Sequence, residues 1–271
     1  MARAGPVAVA ALVFATGILH AQIRNIGAFL QQCPDRDPAY SEIAADFQIL
    51  HNGGPVSEPQ CTEPISAMPI SQYTDALIIR QGLRVMYYMD RGHSGHLPWT
   101  SGTLYDWMRT KLGGFNIVDG TVGGYCCMLF NGRRFMVLGN ADDFNRDFDR
   151  NWPGIAGNID FYAHEARHVD GFPHVSCCGI PNGCDATFDP SNLSPYGIQW
   201  WLNRLWLDGT INVGYECLPA ADAAAATQWF VLGLNEQYRS RFCTNPPAIV
   251  SAPNPAGGAC ADISRRRSVR H

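Results

Sequence analysis

The chain has 271 residues, a net charge of -4 and a pI near 6.0. With 46% hydrophobic and 16% charged residues it can fill a packed core, which excludes a disordered chain, and its length suits one large domain or two small ones. The mild acidity gives no electrostatic case for nucleic acid as a partner.

Arg3 and the apolar run Val7 to Leu19, followed by the small residue Ala21, predict an export signal over residues 1–21, cut before Gln22. That run is too short to span a bilayer comfortably and no later stretch is long and apolar enough, so a secreted protein without stable membrane association is expected, extracellular or periplasmic. The ten cysteines, Cys33, Cys61, Cys126, Cys127, Cys177, Cys178, Cys184, Cys217, Cys243 and Cys260, all follow the cut. In an exported chain they predict several disulfides, and no CxxC pair with zinc-finger spacing competes with that reading. The adjacent pairs Cys126-Cys127 and Cys177-Cys178 are expected to reach distant partners rather than bond within themselves.

Residues 22–70, rich in Pro, Cys and Gly, predict mostly irregular structure after a short helix near Ile26–Gln31. A removable pro-segment with Cys33 or Cys61 over a metal is conceivable here, against ordinary disulfides. The dense apolar run at 74–90 fits a helix or a strand. Residues 101–112 predict a helix between a Ser or Thr cap and Gly113-Gly114. At 122–139 two apolar runs flank Asn131-Gly132 and predict a hairpin. A helix follows at 153–170, entered at Pro153 and stopped at Gly171. An aromatic-rich buried helix is expected at 195–207 and a last helix over 220–241. The catalytic domain then spans 22–243, and 244–271 forms a flexible, Pro/Ala-rich basic tail.

One segment carries chemistry: His164-Glu165-Ala166-Arg167-His168-Val169-Asp170-Gly171-Phe172-Pro173-His174. Residues four apart share a helix face, so His164 and His168 can converge on one metal. Gly171 can adopt a left-handed conformation that ends the helix, letting His174 swing back as a third ligand. Three protein ligands leave a fourth position open, the arrangement of a catalytic zinc site. Glu165, beside the metal rather than on it, is placed to act as general base on a water. Chance produces this full pattern in roughly one such chain in 10⁵.

His164–His174 resembles HExxHxxGxxH, the zinc-binding signature of the metzincin metallopeptidases, complete over these eleven residues. The resemblance implies Zn²⁺ held by His164, His168 and His174, with Glu165 as general base. It also implies a zincin-like α+β fold: a small mixed sheet with an active-site helix and a helical, disulfide-stapled C-terminal part. The sheet's edge strand would pair with a peptide or protein substrate, and the hairpin at 122–139 is a candidate for part of that sheet. Metzincins carry a methionine in a turn below the zinc, whereas here no methionine follows Met136. The segment Leu193-Ser194-Pro195-Tyr196-Gly197 lies at a suitable distance and has turn chemistry. Tyr196 could approach the metal, though a core or turn tyrosine is the commoner outcome.

Weaker candidates remain. His93 and His96 could bind a second metal or simply line a polar loop. Asp185, Asp189 and Cys184 could bind calcium or brace a loop. Asp160 and Asp170 could orient the histidines from behind, and Arg167 could pair with an acid. Trp200, Trp201 and Trp206 are expected in the core rather than as a sugar platform. Glu216 is a rival third ligand, but His174 needs only the turn at Gly171 to reach the metal. The expected activity is a secreted zinc-dependent peptidase; the alternative is a secreted, disulfide-rich zinc protein that binds a partner or hydrolyses another amide or ester.

Overall fold

The computed structural model describes residues 23–56, 60–89, 97–100, 102–121, 123–140, 150–211, 213–214 and 217–252. The export signal at 1–21, His93, His96, Glu216 and the tail beyond 252 lie outside these residues.

The described chain is a mixed α+β structure. Five strands form one sheet in the order β2-β1-β3-β5-β4: β1 Gln48–His51, β2 Gly54–Pro55, β3 Gly114–Val118, β4 Gly124–Phe130 and β5 Arg133–Gly139. The central three run parallel, and β2 and β4 are antiparallel additions at the two edges. Buried runs such as Phe115 to Ile117 and Phe135 to Leu138 belong to these central strands, as expected where a parallel sheet is covered. Asn131 and Gly132, with φ of 50° and 75°, make the two-residue turn joining β4 to β5.

The seven α-helices among the described residues are α1 Ile26–Leu30, α2 Tyr40–Asp46, α3 Asp75–Met89, α4 Leu104–Lys111, α5 Gly154–His168, α6 Pro195–Leu207 and α7 Ala220–Leu232. The ambiguous run at 74–90 is the helix α3, buried on every side, its polar residues Arg80, Gln81 and Arg84 included. It packs behind α5, and α5 lies against β4 and β5. The Thr103 side chain caps α4 by accepting from the Asp106 amide. α6 packs on α5, and its Trp206 meets Trp152 and Phe230 at ring distances of 5.4 and 5.8 Å. Trp206 is therefore core, and Trp200 and Trp201 pack half-buried at its margin.

Two expectations are corrected here. Residues 22–70 hold the expected short helix α1 and much irregular chain, but they also supply α2 and the inner strand β1. The buried Arg84 of α3 ties them down, pairing with Asp37 at 2.6 Å and donating to the Phe29 and Gln32 carbonyls. Charge and backbone hydrogen bonds, invisible to an apolar pattern, thus fold this Pro-rich stretch. Cys33 bonds to Cys61, so neither is a thiol available to a metal. Second, Cys126 bonds to its neighbour Cys127. The register shifts between Cys126 and Met128, so a bulge falls at this pair. Cys177 does reach a distant partner, Cys243, whereas Cys178 bonds to Cys184, six residues on. The last helix covers 220–241 as expected, α-helical to Leu232, then wider-wound over Gly233–Tyr238 and tighter-wound over Arg239–Arg241.

Beyond these turns, β7 Phe242–Thr244 pairs with β6 Asp185–Thr187, and Val250 is buried with its backbone held on both sides by the Asn235 amide. The packed part of the chain therefore runs past 243. No helix among the described residues is long and apolar enough to cross a membrane.

Candidate metal centre

The site is built on the C-terminal turn of α5. His164 and His168 lie one helical turn apart, with ring centres 5.1 Å from each other. After Val169 closes the helix, Gly171 takes φ of 87°, a left-handed conformation that costs a side-chain-bearing residue energy. The chain reverses there and brings the His174 ring to 5.0 Å from His164 and 4.6 Å from His168. The three histidines offer ligand atoms that all lie within 4.8 Å of one another, so the group can hold a metal ion.

What each second ring nitrogen touches decides the tautomers. His164 Nδ1 is 2.7 Å from Gln199 Oε1, and the Gln199 amide is oriented by its own Nε2, which donates to Asp160 Oδ1 at 2.9 Å. His168 Nδ1 is 2.6 Å from the Phe172 carbonyl. His174 Nδ1 is 3.1 Å from Asp185 Oδ1. Each partner is an acceptor, so each Nδ1 carries a proton and Nε2 is the nitrogen left to meet a metal. His164 Nε2 and His174 Nε2 face each other at 3.0 Å, a separation that a hydrogen bond between the rings accommodates when no metal is present. Zn–N bonds of 2.0–2.1 Å in tetrahedral geometry would set them about 3.3 Å apart. Burial drives the His164 pKa well below its ordinary value, with His168 and His174 adding to the effect. Burial also lowers His168. Both stay neutral, as metal ligation requires.

Glu165 points from the same helix toward the sheet edge, where its Oε2 accepts the Cys126 backbone N–H of β4 at 2.8 Å. It is buried, and with His164 and His174 it lines a cavity of about 610 Å³ that also reaches Gly157, Ile180 and the turn at 236–241. The base candidate thus shares one recess with His164 and His174. Tyr196, from the start of α6, stacks on His174 at 4.9 Å and meets His164 edge-on at 4.7 Å. It supports the imidazoles as a turn tyrosine.

The weaker candidates separate. Asp160 does stand behind His164, but through Gln199 rather than directly, and it also accepts from Asn203 at 2.6 Å and Tyr238 at 2.9 Å. Burial raises its pKa to about 7 despite these three donors. Asp170 touches no histidine. It pairs with Lys111 at 2.6 Å and Arg167 at 2.7 Å, and so joins α4 to α5. Arg167 also donates to the Leu193 carbonyl at 2.6 Å and lies between the Trp99 and Phe172 rings, 4.3 and 4.1 Å away. It holds the segment that carries Tyr196 and the one whose carbonyl orients His168. Asp185 braces rather than binds calcium: its Oδ2 accepts from the Ser194 hydroxyl and from the amides of Tyr196 and Gly197 at the start of α6. Asp189 closes its own turn on Ser191, and Cys184 is in a disulfide.

Gln199, Asn203 and Tyr238 were not singled out in the sequence. Two amide residues four apart in the otherwise apolar, aromatic helix PYGIQWWLNRLWL are the signal that pointed to them, because buried amides require polar partners. Compared with family models, curated proteins and solved structures, the chain matches none.

Proposed function

We propose that this chain is an exported zinc-dependent peptidase of metzincin type. The observation that carries the reading is the convergence of three imidazoles whose Nδ1 protons are all committed to acceptors. Three nitrogen donors with room for a fourth ligand suit zinc. When bound, zinc supplies Lewis-acid polarisation of the carbonyl under attack.

The rest of the chemistry belongs to the chain. His164, His168 and His174 hold the ion, and Gln199, Phe172 and Asp185 fix their rings. The Cys126 amide fixes Glu165. Its carboxylate takes a proton from the attacking water and passes it to the leaving amine. β4 is an edge strand with no strand on its outer side among the described residues, and it carries the amide that holds Glu165. An extended peptide adding to that edge would lie across the recess, with main-chain hydrogen bonds setting its direction. Export is supported by the cysteines, none of which is free among the described residues.

The test is metal analysis of the purified protein together with a peptide-library digest, with and without chelator, beside Glu165→Gln. One equivalent of zinc, chelator-sensitive cleavage and a fall of about 10²–10⁴ in rate with zinc retained are expected. Zinc without cleavage of any peptide would favour the non-peptidase alternative, and no metal uptake would overturn the site.

A further inference from the structure

The wall of the recess opposite α5 comes from the turn at 236–241, and its charged groups are Glu236 and Arg241. Arg241 immediately precedes β7. The register partner of Phe242 is Asp185, the carboxylate that orients His174, and Cys243 is bonded to Cys177. The Arg241 backbone is therefore fixed relative to the metal centre by a strand pair and a disulfide. Its Nη1 donates to the Gly183 carbonyl at 3.2 Å, and its guanidinium carbon lies 5.3 Å from the centre of the Tyr196 ring, which stacks on His174.

Among the described residues no carboxylate forms an ion pair with Arg241, whereas Arg84 and Arg167 are both paired with carboxylates. Glu236 lines the same cavity without pairing with it. A guanidinium offers five N–H donors in a planar fork that matches a carboxylate, and the fold engages only one of its terminal nitrogens.

We infer that Arg241 anchors a carboxylate of the ligand bound in this recess. On the proposed function, on which this inference rests, the substrate is a peptide with an acidic side chain or a free C-terminal carboxylate close to the cleaved bond. Both sources present the same group to the same fork.

Matched peptide pairs distinguish them: aspartate against asparagine at each position, and free C-terminus against C-terminal amide. Each pair is titrated by calorimetry into zinc-loaded Glu165→Gln protein, and its cleavage by the unmodified protein is measured separately. One kind of pair should show the acid binding about tenfold or more tightly than its neutral twin. Arg241→Gln should abolish the difference, Arg241→Lys should keep part of it, and Glu236→Gln should keep or enlarge it. Equal affinity within every pair, including no measurable binding to any, overturns the inference. So does an acid preference that survives in Arg241→Gln with zinc content and circular dichroism unchanged. A carboxylate preference in binding without any cleavage would leave Arg241 in its role and remove the peptidase reading. Cleavage with no such preference would do the reverse.

Discussion

Three imidazoles can cluster for reasons unconnected with metal, and what distinguishes His164, His168 and His174 is the fate of their second nitrogens. An amide oxygen, a backbone carbonyl and a carboxylate each take one Nδ1 proton, so the Nε2 atoms are the ones turned toward a shared ion. Removing a partner frees a ring to rotate or to change tautomer, and such losses typically cost 10–100-fold in metal affinity. Gln199→Leu and Asp185→Ala are expected to weaken zinc by about that range. His174→Ala, which deletes a ligand, should weaken it further. Asp189→Ala, confined to its own turn, should change nothing. Chelator competition on the four proteins checks the ranking, and zinc affinity in Gln199→Leu equal to that of the unmodified chain would refute the orienting role. Acid should also release the metal. With His164 and His168 both lowered by burial, protons displace it only below the ordinary imidazole range near pH 6.5.

At the scale of elements, the centre depends on keeping the end of α5, the Phe172 turn and the start of α6 in register, and Arg167 touches all three. Its guanidinium binds Asp170, the Asn192 side chain at 2.7 Å and the Leu193 carbonyl, with the Phe172 ring stacked on it. Arg167→Met would leave Asp170 with only Lys111 and the Trp107 indole and orphan a buried carbonyl, a destabilisation of about 3 kcal/mol. Arg167→Lys keeps the charge but not the planar fork, and should recover less than half of that loss. Denaturant midpoints of both variants measure it; a lysine variant as stable as the parent would show that charge alone suffices. The same elements show what was legible in the sequence. The Gly171 turn, the Asn131-Gly132 hairpin and the spacing of His164 and His168 follow from local rules of backbone and period, and the structure bears out each of them. What escaped was non-local. β1 joins the sheet from a Pro-rich stretch because Arg84 and its carbonyl acceptors gather that stretch from the other side of the core. Gln199 could be seen as a misplaced amide, but not as the partner of a histidine 35 residues earlier. The bulge that brings Cys126 and Cys127 together has no local signature.

Across the whole molecule, the polar knot around Asp160 joins α5 to α6 and to the C-terminal turn, through Gln199, Asn203 and Tyr238. It is the one described point where the helix bearing the histidines, the helix behind them and the wall that carries Arg241 meet on a single side chain. Three donors favour the carboxylate, burial opposes it, and burial wins: its pKa rises to about 7. In the unfolded chain the same group titrates near 3.9. Between roughly pH 4 and pH 7 the folded protein therefore binds a proton that the unfolded chain has released, so this group's contribution to stability is complete below about pH 4 and is lost as the pH climbs through 7. The lowered histidines act in the opposite sense, since their contribution is complete above about 6.5 and is lost on acidification. A raw stability profile would blur the two. Subtracting the profile of Asp160→Asn isolates the carboxyl, because the amide cannot ionise and the histidines are common to both proteins. On chelator-treated protein, the denaturation midpoint of the unmodified chain minus that of Asp160→Asn should fall steadily from pH 5 to pH 8. The constant cost of placing an amide against three donors shifts the whole curve but not its slope. A difference that is flat with pH, or that rises, would mean that Asp160 is ionised in the fold throughout, and that the donors rather than burial control it.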